Sequence, residues 1–359
     1  MENLEDKKLQ RLKEVLAIPT YSRKEELMIA YLESVLSEKG FSYEKDQIGN
    51  ILVTKGKTEH FPLFVSHTDT VHYLNHNLKV VQLKEDGKTI LTGVDSKTLS
   101  PSGIGGDDKC GVFLCLEMLD TLKNVKVAFF VSEEIGCVGS NVSVKTNSEF
   151  FQNVGYAIQY DSPKGNSMSM TLMGKELFDK KSIFGEKVSP LILEHGITDW
   201  ARHPYTDIWP LLENFGFSCL NLAAGYHRYH TDNEYVVVEE VQNAFELGLK
   251  LHEMLGENLY NRPVKGDGLF NSLFTPYQSK NTQLLNEDDD DFEDDDIYFD
   301  EEDDTDNEEY TYISPKDEYS ARNEFLDLWD YEEFNGGKKN KNRKTITDGY
   351  GNHTFDFEW

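Results

Sequence analysis

Phe61-Pro-Leu-Phe-Val-Ser-His-Thr-Asp-Thr70 starts as an unbroken apolar run and ends in polar, metal-competent side chains. Phe61 to Ser66 is too short for a buried helix and rich in β-formers, so it reads as a fully buried strand. Val125-Lys-Val-Ala-Phe-Phe-Val-Ser132 repeats the design and is followed at once by Glu133-Glu134. Gly155 to Tyr160 repeats it again and is followed by Asp161. Between and after these strands lie segments with helical spacing. Asp108 to Leu122 carries Val112, Leu116 and Leu119 on one face, and Thr206 to Phe215 and Glu239 to Leu255 behave alike. A further strand falls near Cys219 to Leu222. Strands alternating with helices imply an α/β fold, a three-layer α/β/α domain around a mixed, largely parallel sheet.

The flanking segments fit that frame. Leu9, Leu12 and Leu16 give Leu4 to Leu16 a helical face. Ser22 and Glu25 have the spacing of a capping box, which starts a second helix that Gly40 closes. Phe41 to Val53 is extended, with a turn at Gly49-Asn50, and Asp86-Gly87 marks a hairpin between Leu78–Lys84 and Lys88–Leu91. Beyond the last helix the composition changes. Glu287 to Glu309 holds 17 carboxylates, more than half of the formal net charge of −29. Such a segment cannot bury enough apolar surface to offset the entropy of ordering it. Residues 1–260 are therefore expected to form the catalytic domain and residues 261–359 an acidic, low-complexity, mostly disordered tail. Phe325, Leu326, Leu328, Trp329 and Tyr331 within the tail read as solvated or as a short docking motif.

Charge and hydropathy exclude several roles. An acidic chain does not favour nucleic acid or an anionic membrane surface. No apolar stretch approaches the roughly 18 residues that span a bilayer. The N-terminus MENLEDKKLQ lacks the apolar core of a secretory signal. Cys110, Cys115, Cys137 and Cys219 lack metal-ligand or disulfide spacing and read as buried thiols in a reducing compartment. The expected location is the cytoplasm. A basic protein is the partner class the acidic tail would accept.

Ligands of open α/β sheets bind beyond the carboxyl ends of the strands. His67-Thr-Asp69, Glu133-Glu134 and Asp161 all lie at such ends, and Gly105-Gly106-Asp107-Asp108-Lys109 precedes a helix. So many carboxylates at one sheet edge are tolerable when divalent cations sit among them. Zinc accepts imidazole and carboxylate ligands and leaves a position for water in catalytic sites. Two metals roughly 3.5–4 Å apart need a bridging carboxylate and a second imidazole. The stretch Gly225-Tyr-His227-Arg228-Tyr-His230-Thr-Asp-Asn-Glu234 offers that imidazole.

Each cluster alone is weak evidence, but their order is specific. His67-x-Asp69, Gly-Gly-Asp107-Asp108-Lys109-x-Gly111, Glu133-Glu134-x-Gly136, Asp161 and His230-x-x-x-Glu234 together resemble the peptidase T and aminoacylase family of di-zinc metallopeptidases. Leu16-Ala-Ile-Pro19-Thr-Tyr-Ser22 through Gly49-Asn50-Ile51-Leu52 is similar to that family's N-terminal region. The resemblance covers roughly residues 4 to 255. It implies two divalent ions, zinc first with cobalt or manganese as substitutes. His67 and Asp161 would hold one ion, Glu134 and His230 the other, and Asp107 both. Asp69 would accept the other ring N–H of His67 and fix its tautomer. Glu133 would be the general base, moving a proton from the attacking water to the leaving amine. Asp108 is left to cap the following helix. His230 is preferred to His227 because Glu234 follows it by four residues, and His60, His72 and His76 are ordinary loop histidines.

Members of that family usually carry a lid domain of about a hundred residues before the last histidine. Here only 68 residues separate Asp161 from His230, so the architecture is expected to match the single-domain aminopeptidases of the same clan, and the chain to be a monomer. Arg202, His203 and Arg228 read as surface residues or as cations that recognise a substrate carboxylate. The resulting expectation is a hydrolase that cleaves a small peptide near a free terminus, as an aminopeptidase or a di/tripeptidase. An N-acyl amino acid amidohydrolase at the same site, or a non-catalytic acidic interaction protein, are the alternatives.

Overall fold

The structure, a computed structural model, describes residues 4–172, 175–203, 205–261, 345–347 and 354–356. Two helices open the chain, α1 (Leu4–Leu16) and α2 (Glu26–Glu38). The first expectation to fail is the capping box. Arg23 takes a left-handed φ of 62° and Tyr21 bridges Lys24, so a turn intervenes and the helix starts only at Glu26. Ser22 and Glu25 are thereby released for other partners. Gly40 does close α2, with a φ of 71° that only glycine adopts cheaply.

Strands β1 (Tyr43–Lys45), β2 (Ile51–Lys55) and β3 (Phe61–His67) follow, then the hairpin of β4 (Leu78–Glu85) and β5 (Lys88–Asp95). Helix α3 (Gly106–Thr121) leads to β6 (Val125–Phe130), α4 (Val138–Thr146), α5 (Ser148–Phe151) and β7 (Val154–Ser162). The segment with no sequence assignment supplies β8 (Ser167–Leu172), β9 (Lys175–Glu176), α6 (Ile183–Glu194) and β10 (Asp199–His203). Then come α7 (Ile208–Phe215), β11 (Cys219–Ala223), β12 (Tyr226–His227), β13 (Tyr235–Val237) and α8 (Val238–Leu255).

The central sheet runs β1-β2-β6-β3-β7-β11-β8-β10, with β9 beside β8. Its middle strands β6, β3, β7 and β11 are mutually parallel, while β2 and β8 join antiparallel. Every residue of β3, β6, β7 and β11 is buried, because helices cover both faces of a parallel sheet. Helix α3 packs on β3, β6 and β7 and meets α1 and α8. Helices α4 and α7 pack together, with α7 on β7 and β11. The fold is thus the expected α/β class.

The elements between Asp161 and His230 extend this same sheet, through β8 and β10 at its far edge. A second sheet runs β12-β13-β5-β4 and gains two short strands from the tail, β14 (Thr345–Thr347) and β15 (Thr354–Asp356). The rest of the acidic tail, including the aromatic group at 325–331, lies outside the described residues. All four cysteines are buried, and none is in a disulfide among the described residues. Among the described residues no helix is long and apolar enough to cross a membrane.

Candidate active site

Parallel pairing puts the strand ends at one level. His67, the last residue of β3, pairs with Phe130 at the end of β6, and Val65 pairs with Gln159 of β7. Continuing that register sets His67 beside Asp161, which lies inside β7 rather than beyond it. His67 Nε2 is 3.1 Å from Asp107 Oδ1 and 3.7 Å from Asp161 Oδ1. On the other side of Asp107, His230 Nε2 is 3.4 Å from Asp107 Oδ2 and 3.2 Å from Glu134 Oε2. Two groups with metal-ligand chemistry result, His67–Asp107–Asp161 and Asp107–Glu134–His230. Asp107 belongs to both, one oxygen facing each.

The electrostatics favour cations. Burial works against a charged His67, yet Asp107, Asp161 and Asp69 outweigh it and hold its pKa well above the usual imidazole range. Burial also opposes a charged His230, but Asp107 and Glu134 raise it to about 10. Asp161 and Glu134 are pushed up, first by burial and then by the charge of Asp107. Glu133 is driven well up by burial, with Asp161, Asp207 and Glu134 adding repulsion. Glu134 Oε1 is buried without a hydrogen-bond partner among the described residues. A buried carboxylate oxygen left bare beside an imidazole and a second carboxylate is one that a divalent cation would satisfy.

Asp69 is fully buried and ties the cluster together. Its carboxylate accepts the Ser22 hydroxyl at 2.7 Å, the Glu133 amide at 2.9 Å and the Glu134 amide at 3.3 Å. Oδ1 also lies 3.3 Å from His67 Nδ1, whose nearer contact, at 3.2 Å, is the Asp69 carbonyl. Burial alone would raise its pKa; the contacts with His67, Ser22 and Glu133 outweigh burial and lower it. Glu25, the other half of the failed capping box, accepts the Ser132 amide and hydroxyl, each at 2.9 Å. Three consecutive residues of the loop, Ser132, Glu133 and Glu134, are thereby held in place. Asp107 and Asp108 interrupt the helical geometry at the start of α3, and beyond that kink Asp108 accepts the Gly111 amide at 3.0 Å, as a helix cap does, and receives the His67 amide at 3.2 Å.

Asp161 is held by residues the sequence did not single out. Thr206 Oγ1 donates to its Oδ2 at 2.6 Å, Gln159 Nε2 to the same oxygen at 3.2 Å, and Tyr226 OH to its Oδ1 at 3.3 Å. Asp207 is fully buried, accepts the Ser140 hydroxyl at 2.6 Å and is raised to about 7, by burial above all. Lys109 is buried too; its ammonium donates to the carbonyls of Leu16 and Ile104, and burial brings its pKa down to about 8. His227 is engaged elsewhere, 2.6 Å from Glu240 and stacked on Tyr235. His72 departs from the loop reading, because its Nε2 is 2.8 Å from Glu234 Oε2. Arg228 lies over the Tyr235 ring, and the side chains of Arg202 and His203 lie outside the described residues.

Fold and site define a class: an α/β protein whose largely parallel sheet gathers carboxylates and imidazoles at its carboxyl edge. Residues 50–238 match the model of Peptidase family M28, and the chain belongs to that family. The matched span contains the candidate residues from His67 to His230. A tripeptidase from Staphylococcus aureus is similar in fold, with a TM-score of 0.56 at 14% identity, over 70% of this chain and 98% of that one. Aminopeptidase PepT from Bacillus cereus is similar with a TM-score of 0.55 at 16% identity, over 70% and 98%. An aminopeptidase from Desulfurococcus kamchatkensis reaches 0.52 at 14% identity, over 72% and 96%. No curated protein matches the sequence.

Proposed function

We propose that the chain is a metal-dependent exopeptidase that hydrolyses small peptides near a free terminus with two bound divalent ions, zinc by preference. Family membership supports the peptidase reading, and the tripeptidase and aminopeptidases of similar fold support the choice of small peptides. The observation that carries the two-metal reading is Asp107, whose two oxygens face two separate imidazole–carboxylate groups. His67 and Asp161 would hold one ion, Glu134 and His230 the other, and Asp107 both.

Bound there, the ions would lower the pKa of a coordinated water and polarise the scissile carbonyl. The chain's own part is acid–base and positional. Glu133 sits beside both groups with its amide fixed on Asp69 and its Oε1 3.5 Å from Cys137 Sγ. Its raised pKa suits a group that takes a proton from water and returns it to a leaving amine. Asp69 orients His67 and the Glu133–Glu134 backbone together, so one side chain aligns a ligand and the base. The aminopeptidases of similar fold favour the amino-terminal side of the peptide. Metal-stripped protein should not cleave a free-amino dipeptide, and zinc should restore cleavage. Turnover of the N-acylated dipeptide in preference to the free-amino one would overturn the exopeptidase assignment in favour of a deacylase. Absence of any hydrolysis by the zinc-loaded protein would overturn the enzyme reading.

A further inference from the structure

Glu234 has the environment of a working part, although it reaches neither metal group. It is fully buried and lies four residues past His230. Its Oε1 accepts the Asp107 amide at 3.1 Å; its Oε2 accepts the Gly105 amide at 2.7 Å and faces His72 Nε2 at 2.8 Å. Three hydrogen-bond partners on one buried carboxylate hold it in place. Two of them are main-chain amides of the turn that presents Asp107. Its own backbone is anchored as well, the carbonyl accepting Thr92 Oγ1 at 3.2 Å and the amide donating to the Thr231 carbonyl at 3.2 Å.

The surroundings are shaped to this arrangement. A Cβ on Gly103 would come within 2.1 Å of the His72 ring. One on Gly106 would meet Tyr226 and Val236 below 3 Å and approach Glu234 Oε1. The glycines in this turn therefore let the backbone come close enough for a carboxylate to grip its amides. The turn bears Asp107, shared by both groups; the segment bearing Glu234 also bears His230.

We infer that Glu234 is a positioning residue, a brace that ties the His230 segment to the Asp107 turn and so sets the spacing of the two metal groups, with His72 steadying its second oxygen. This rests on the two-metal reading proposed above. Glutamine at 234 would retain one oxygen and place an NH2 against an N–H donor, so one grip on the turn is lost. Outer residues of this kind change metal affinity roughly 10–100-fold when replaced.

The test compares the full-length protein with Glu234→Gln, His72→Ala and His72→Gln. Zinc affinity is read by competition with a chromophoric chelator, and kcat and KM for a dipeptide are read at saturating zinc. Glu234→Gln should bind zinc about 10–100-fold more weakly, with a lower kcat and an unchanged KM, since Glu234 is fully buried. His72→Ala should shift affinity the same way by a smaller factor, and His72→Gln, which restores a donor, should recover part of it. If Glu234→Gln does not fold, the two His72 variants carry the test. Parent-like zinc affinity and kcat in folded Glu234→Gln, or in His72→Ala where the former fails to fold, would overturn the brace. A parent protein that binds no zinc would instead overturn the metal reading itself.

Discussion

Replacing Asp69 with asparagine changes one atom and probes the centre of the site. The carboxylate accepts Glu133 N–H on Oδ1, and Ser22 O–H and Glu134 N–H on Oδ2. An asparagine keeps one oxygen. If it keeps Oδ1, the new NH2 faces Ser22 and the Glu134 amide. The serine hydroxyl can turn and accept, but the amide cannot. If it keeps Oδ2, the Glu133 amide is stranded. Either way one buried N–H loses its acceptor, at a cost of about 1–3 kcal/mol. For a folded unit of this size that corresponds to a Tm lower by roughly 2–12 °C. The negative charge beside His67 Nδ1 is lost as well, so zinc affinity should fall roughly 10–100-fold.

The pH dependence carries a sign. Asp69 is held below its ordinary pKa by His67, Ser22 and the Glu133 amide, against burial. Its ionised form therefore adds stability that is full above the unfolded value of about 4, and is lost as pH falls through the lower folded value. Metal-free parent protein should lose stability across that acid window, and the asparagine variant should lose less there. Thermal unfolding against pH, with zinc competition at pH 7, measures both effects. An asparagine variant with the parent's Tm, acid profile and zinc affinity would refute the role assigned to Asp69.

Other substitutions separate chemistry from assembly. Glu133→Ala should keep its metal and lose turnover by a factor on the order of 10²–10⁴, and retained turnover would remove Glu133 as the base. Asp107→Ala should fail to hold metal in either group, because both share that residue; normal metal content by elemental analysis would remove the bridge. A chelator should release metal in two phases, the faster from the His230 side. That imidazole side chain is 43% exposed, against 1% for His67. A single phase for both ions would contradict that ordering.

Much of the fold was legible because the central strands are apolar from end to end. Phe61 to Ser66, Val125 to Phe130 and Gly155 to Tyr160 need two covered faces, and a parallel sheet between helices supplies them. The site followed from the same pattern, since each run ends in a histidine or acid. The structure places His67, Asp107 and Asp161 in one group and Asp107, Glu134 and His230 in another, and the ions they would hold are those proposed above. Other features were hidden by local ambiguity. Ser22 and Glu25 have the spacing of a capping box, yet a left-handed Arg23 moves the helix start and turns both toward the site. Helix α6 contains Pro190, which weakens a helical pattern read from sequence. Asp207 and Thr206 are single polar residues that look like surface until their burial and partners are seen, and Glu234 was legible only by its spacing from His230, not by its grip on the Asp107 amide. His72 was read as a loop histidine because its partner lies 162 residues away.

The most direct test of the two-metal account is the metal-to-protein ratio of purified full-length protein, measured by elemental mass spectrometry after zinc loading and mild dialysis. The account predicts a ratio near two zinc ions per chain. A ratio near zero, unchanged by added zinc, would contradict it and leave the clustered carboxylates and imidazoles without the cations assigned to them.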